Sequence, residues 1–272
     1  MRLLKLLLFM LVYTTTSAIA GPLEDGVAAH LNADYATALR LIRPLAEQGS
    51  TDAQVVLAQI YYQGQSVARD YATAMSWYRK AAEQGDSDAQ YMLGRMYRSG
   101  QGVTRDYATA MSWYRKAAEQ GDSDAQYMLG CVYQSGEGVP QDYTAAAAWY
   151  RKAAEQGHAE AQYSLGSIYQ NGYGVPEDFS AAASWYGRAA EQGDPDGQYM
   201  LGGAYQSGIG VLQDYVQAHK WLLLAVSRFA ATDNEKLGEA LKKRDALAGK
   251  MTPAQIAEAE KLAREWKRKP ER

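Results

Sequence analysis

The 25 residues DYATAMSWYRKAAEQGDSDAQYMLG run from Asp70 to Gly94 and again, letter for letter, from Asp106 to Gly130. The displacement of 36 residues is the period of most of the chain. Asp followed by Tyr or Phe stands at 34, 70, 106, 142, 178 and 214. Trp follows seven residues later at 77, 113, 149, 185 and 221, with Leu41 in the first place. Gly-x-Gly-Val returns at 100–103, 136–139, 172–175 and 208–211, and its first version reads Gly64-Gln65-Ser66-Val67. A fixed period without insertions marks a repeat array in which each unit is one supersecondary structure.

Each unit reads as two helices. Over Asp70–Gln84, residues Ala74, Trp77, Tyr78, Ala81 and Ala82 fall at i, i+3, i+4, i+7 and i+8, one apolar stripe, with Asp70 as N-cap and Gly85 as stop. Over Asp88–Ser99, Ala89, Leu93, Met96 and Tyr97 form a second stripe, and Gly94 leaves room for a neighbouring helix. Gly100 and Gly102 then reset the chain. So small a helix pair cannot bury its own stripe, whereas stacked copies can. The Trp series is expected in the core.

The ends differ. Arg2 and Lys5 flank an apolar run, Leu3 to Tyr13, followed by Ala18-Ile19-Ala20, the pattern of a signal peptide over 1–20 cleaved after Ala20. The run is shorter than the roughly 20 residues of a membrane span, and no later stretch is apolar enough to be one. Residues 21–52 are expected to form N-terminal capping helices, 53–229 five repeats, and 230–272 C-terminal capping helices opened at Thr252-Pro253. Residues 21–272 carry 26 basic and 31 acidic side chains, net −5, while 21–234 alone carry −9 and 235–272 carry +4. An acidic body argues against a nucleic-acid partner. Cys131 is the one cysteine, so an intrachain disulfide is impossible and packing must hold the exported chain.

Ala-Gln-x-x-Leu-Gly-x-x-Tyr-x-x-Gly-x-Gly-Val, then Asp, Ala and Trp-Tyr-x-x-Ala-Ala-x-x-Gly, closely resembles the SEL-one-like repeat, a relative of the tetratricopeptide repeat. Residues 53–85, 89–121, 125–157, 161–193 and 197–229 carry it, about two thirds of the chain. Ala58, Ser66 and Leu41 depart from it in the first copy; Leu222-Leu223-Leu224 and Phe229 depart in the last. The resemblance implies an all-α, right-handed superhelical solenoid of paired antiparallel helices. It also implies a non-enzymatic scaffold, adaptor or regulator in the bacterial envelope, periplasmic or secreted, holding a protein or peptide in its concave groove.

The two near-copies Asp70–Arg105 and Asp106–Gln141 disagree at six positions, three of them on the helix bearing Leu-Gly-x-x-Tyr. Followed along the chain, these slots read Arg95, Cys131, Ser167, Gly203 and Arg98, Gln134, Gln170, Gln206. In tetratricopeptide-like arrays that helix lines the concave wall. By that resemblance Arg95, Arg98, Cys131, Gln134, Ser167, Gln170 and Gln206 face a ligand. The alternative is drift at exposed positions. Tyr91, Tyr127, Tyr163 and Tyr199 either add aromatic contact area beside them or pack between repeats.

Other chemistry is thin. Gly-x-Gly-Val lacks the Lys-Ser/Thr of a phosphate loop and follows a helix. His30, His158 and His219 are scattered without metal-ligand spacing, so neither a metal nor a cofactor is expected. Some exported relatives are described as penicillin-binding or weakly β-lactamase-like, and a cell-wall-binding protein is a further alternative. Those relatives pair cysteines within each repeat, which one cysteine cannot do.

Overall fold

The structure, a computed structural model, describes residues 21–229 and 234–268. The leader expected over 1–20 lies outside the described residues. Among the described residues every regular element is helical. In order these are α1 (Pro22–Leu31), α2 (Tyr35–Glu47), α3 (Thr51–Gln63), α4 (Tyr71–Glu83), α5 (Ser87–Ser99), α6 (Tyr107–Glu119) and α7 (Ser123–Ser135). There follow α8 (Tyr143–Glu155), α9 (Ala159–Asn171), α10 (Phe179–Glu191), α11 (Pro195–Ser207), α12 (Tyr215–Phe229), α13 (Asn234–Ala248) and α14 (Pro253–Glu265). None is long and apolar enough to cross a membrane. The chain divides into two compact units, Met1–Ala125 and Gln126–Arg272.

The 36-residue marker Asp is a helix cap. Asp70 and Asp106 accept from the backbone N–H groups of Thr73 and Thr109 at 3.0 Å, and Asp142 and Asp178 from Ala145 and Ala181 at 2.9 Å. Each satisfies one of the donors a helix start leaves bare. Ser50, Asp86, Asp122, His158 and Asp194 do the same for the second helix of each pair. In Gly-x-Gly the second glycine meets a positive φ and a close backbone approach. Gly102 has φ +73°, and a Cβ there would stand 2.7 Å from the Tyr71 carbonyl. The first repeat departs here, with Ser66 held at φ 56°.

In both units alanine and larger aliphatic residues build the core, and in four repeats the buried aromatic is Tyr rather than Trp. Tyr78, Tyr114, Tyr150 and Tyr186 are buried, whereas Trp77, Trp113, Trp149 and Trp185 are half-buried. Only Trp221 of that series reaches the core. The reason is the glycine of Leu-Gly. A Cβ on Gly94 would lie 2.5 Å from Tyr114 Cδ1, and one on Gly166 2.7 Å from Tyr186 Cδ1. The glycine opens a slot one ring thick, and the Tyr fills it. The neighbouring Trp stays nearer the surface under a cation three residues on: Lys80 Nζ lies 4.0 Å from the Trp77 centroid and Lys152 Nζ 4.0 Å from that of Trp149.

A ladder of buried glutamines runs through the helix pairs. Gln90 Nε2 donates to the Ala82 carbonyl at 3.1 Å and its Oε1 accepts from Gln120 Nε2 at 2.8 Å. In the second unit Gln162 donates to Ala154 O at 3.0 Å and accepts from Gln192 at 2.8 Å. Gln84 to Gln54 and Gln156 to Gln126 repeat the bond at 2.8 and 2.7 Å. The Gln of Ala-Gln and the Gln of Glu-Gln-Gly are therefore two halves of one buried contact.

At the C-terminal end α13 and α14 pack against α12. Leu247 packs with Ala218 and Leu222, and Ala240 with Ala225 and Phe229. Trp266 meets Trp221 edge to face at 6.4 Å. Thr252 and Gln255 close the capping box that opens α14.

Gln162→Leu should remove two buried hydrogen bonds, although the Gln192 amide keeps its bond to the Gly157 carbonyl and the Ala154 carbonyl its bond from the Gly157 N–H, lowering unfolding free energy by about 1–2 kcal/mol in denaturant titrations. The caps predict a pH effect. Burial pushes Asp194 up to about 6, despite its bond from the Gly197 N–H. The folded state therefore holds this proton more tightly than the unfolded chain. Its contribution to stability is full below about pH 4 and is lost as pH rises through 6. Asp194→Asn keeps the cap without the charge, so the melting temperature should fall less between pH 4 and 6 than in the parent.

Candidate functional site

In the first unit Arg95 is exposed, its guanidinium 5.8 Å from the Tyr91 ring centroid and 3.8 Å from Met92 Sδ. Arg98 is half-buried. Tyr91 lies tilted against Tyr114 of the following pair at 6.0 Å, and burial pushes its phenol up. In the second unit Tyr127 and Tyr163 meet Tyr150 and Tyr186 at 5.7 and 5.8 Å, and Tyr127 also stacks on His158 at 4.7 Å. Tyr199 meets Phe229 edge to face at 6.5 Å. Of the two alternatives for these tyrosines, the contacts show packing between repeats, with a partly exposed edge left over.

The glutamine slot has an internal use. Tyr150 Oη donates to Gln134 Oε1 at 2.6 Å and lies 3.5 Å from Cys131 Sγ. Tyr186 Oη donates to Gln170 Oε1 at 3.0 Å. The glutamine thus satisfies the hydroxyl of the ring seated against the glycine. Ser167 accepts from Asn171 Nδ2 through its carbonyl at 2.8 Å.

The pattern breaks in the last copy. Leu222 stands where Tyr78, Tyr114, Tyr150 and Tyr186 stand, so no hydroxyl meets Gln206. Gln206 Oε1 is buried with no hydrogen-bond partner among the described residues. On the same helix Gly203 replaces Arg95, Cys131 and Ser167, and Ala204 replaces Met96, Val132 and Ile168. The shaved face of α11 opens a cleft of about 590 Å³, lined by residues from the end of α9 to the turn after α13. Met200, Ala183 and Ala204 supply apolar wall, and Phe179 and Ile209 stand at it with 40% and 50% of their surface exposed. Lys243 and Lys250 bring two cations. Lys243 Nζ stands 2.6 Å from where a Gly203 Cβ would be and 4.4 Å from the Tyr199 centroid. Burial lowers its proton affinity, and Glu239 partly offsets that.

Sequence comparison of the first two copies does not reach this cleft. The loop slot between the paired glycines reads Gln65, Gln101, Glu137, Tyr173, Ile209, turning from polar to apolar along the chain. In the first unit the slot is occupied internally: Gln65 bonds His30 at 3.1 Å, and Gln101 accepts from Tyr62 Oη at 2.8 Å. Reading the loops in register, as the helices were read, would have found the break.

Hydroxyl, amide and ammonium groups line the cleft beside its apolar wall. Ser207, its one hydroxyl from a serine, donates to the Gly203 carbonyl at 3.0 Å. Among the described residues no group of three or more His, Cys, Asp or Glu is placed to hold a metal ion.

The repeating helix pair, the glycine slot and the glutamine ladder coincide with a family model described as the Sel1 repeat, which matches residues 51–86, 87–122, 123–158, 159–194 and 195–228. The chain belongs to the Sel1 repeat family. Its structure is similar to that of a protective antigen present in uropathogenic Escherichia coli strains displaying an SLR fold, with 38% identity and TM-score 0.75. That match covers 90% of this chain and 53% of the other, so this chain spans about half the length of the antigen. It is also similar to a Sel1 repeat protein from Oxalobacter formigenes, with 32% identity and TM-score 0.75, covering 90% of this chain and 100% of that one. No curated protein matches the chain. The Sel1 assignment makes the fold an all-α repeat scaffold of the kind that binds proteins.

Tyr186→Phe should leave Gln170 Oε1 bare and cost about 1–2 kcal/mol of unfolding free energy, while Gln206→Leu, which breaks no bond, should cost under about 0.5 kcal/mol. Equal costs in denaturant titrations would contradict the bracing role.

Proposed function

We propose that this Sel1 repeat protein is a non-enzymatic protein- or peptide-binding scaffold or regulator of the bacterial envelope, exported by residues 1–20 to the periplasm. The cleft of the second unit carries this reading, because it is where the repeat abandons its own packing rules. Many polar side chains of the repeat are spent on caps, tyrosine hydroxyls and the glutamine ladder, as at Asp70, Gln134 and Gln162. A surface that leaves a buried acceptor and two lysines directed at an open apolar cleft has the mixed character of a binding site. The exposed Arg95, beside Tyr91, is the corresponding outward feature of the first unit. Export is supported by the Arg2–Ala20 pattern, and an envelope role by the similarity to a protein described as a protective antigen.

Crosslinking pull-down from envelope extract tests the reading. The immobilised protein should retain a defined partner, and its periplasmic form should have the intact mass of a chain starting at Gly21. It should not turn over a chromogenic β-lactam. Turnover abolished by Ser207→Ala would move the protein to the penicillin-binding alternative, and retention of nothing above a blank resin would end the scaffold reading.

A further inference from the structure

We infer that the cleft of the second unit receives the free carboxyl end of a polypeptide whose last side chain is apolar; this rests on the scaffold reading and names the ligand for its site. Three chemistries converge there. Lys243 and Lys250 are cations at the cleft, and neither forms an ion pair among the described residues. Gln206 Oε1 is a buried acceptor awaiting an N–H. Met200, Ala204, Ile209 and Phe179 form apolar wall and rim. The last residue of a polypeptide presents carboxylate, amide N–H and side chain from a single Cα, and so meets all three at once.

Other ligand types meet fewer. A purely apolar ligand would leave the Lys243 ammonium desolvated with its burial only partly offset by Glu239, and Gln206 unpaired, each at a cost in affinity. An internal Asp or Glu places its carboxylate on a side chain, with the apolar group on another residue. A polyanion meets the field of residues 21–234, which carry net −9, whereas a single carboxylate is repelled little and gains a charge-assisted hydrogen bond. The cleft volume of about 590 Å³ lies within the range of sites that enclose small ligands.

The probes are dye-labelled heptapeptide pools, randomised upstream and ending in Leu, Val or Phe, each as the free acid and as the C-terminal amide. Fluorescence anisotropy with the purified full-length protein should show the acids binding at least about tenfold tighter than their amides. Lys243→Gln should remove that preference, and Gly203→Arg should abolish binding by filling the cleft with the side chain that Arg95 supplies at this slot. Circular dichroism melting checks both variants, and Lys250→Gln, on the surface, provides a third should Gly203→Arg not fold. Equal binding of acids and amides, no binding by any pool, or a preference untouched by Lys243→Gln would overturn the inference. A partner from envelope extract that Lys243→Gln protein still captures in full would leave the scaffold reading intact while this site fails. Failure of the parent to capture any partner is a failure of the scaffold reading instead.

Discussion

A glutamine side chain has a donor and an acceptor end, and burying it is tolerable only if both are met. In this protein Gln90 and Gln162 meet the donor end within their own helix pair, at Ala82 and Ala154, but the acceptor end only from Gln120 and Gln192, 30 residues further on. No single helix pair can satisfy that requirement. The repeat must therefore be followed by another in the same register, and a one-residue insertion would strand a buried amide in each of two pairs. The unbroken 36-residue period is the sequence's record of this constraint. The Gly–Tyr slot acts alongside it, since Tyr114 and Tyr186 complete their packing only against Gly94 and Gly166 of the preceding pair.

Both devices must end somewhere, and they end together. The ladder position after Gln192 is Arg228, and neither Gln198 Oε1 nor Arg228 Nε finds a partner among the described residues. Arg228 instead lies 5.1 Å from the Trp266 ring, tying the last repeat to α14. The tyrosine position after Tyr186 is Leu222, which packs on Leu247 of α13. The same exchange of polar register for apolar cover that stops the array leaves Gln206 without its hydroxyl. The termination of the repeat and the appearance of a cleft are thus one structural event.

Much of this was legible in the sequence. The helix pairs, the capping role of Asp70 and its equivalents, and the close approach at Gly94 all follow from spacing and side-chain chemistry, and the structure places them so. The identity of the core ring was not legible. Trp77 and Tyr78 are adjacent, both fall on the apolar stripe, and periodicity cannot choose between them. Only the facing glycine does, and its partner lies in the next pair. The glutamine ladder was hidden because a polar residue on a helix reads as solvent-facing until its acceptor is known. Of the slots expected to face a ligand, Gln134 and Gln170 bond Tyr150 and Tyr186, a pairing 16 residues apart that no local pattern announces.

The cleft was missed for a different reason. Comparison of two nearly identical copies shows where a repeat tolerates change, and this includes positions its packing uses, such as Met96 with Val132 and Gln134. A binding site in such an array is better sought where a residue that the packing uses is given up. Gly203, Ala204 and Leu222 each surrender contacts that Ser167, Ile168 and Tyr186 make or could make one repeat earlier. Buried contacts are costly to relinquish, so three such losses on facing helices need an offsetting gain. Cover from α13 offsets part, through Leu247 against Leu222. Lys243 of the same helix reaches the space beside Gly203, but α13 does not satisfy Gln206. A ligand seated in the cleft, as proposed, would supply the remainder.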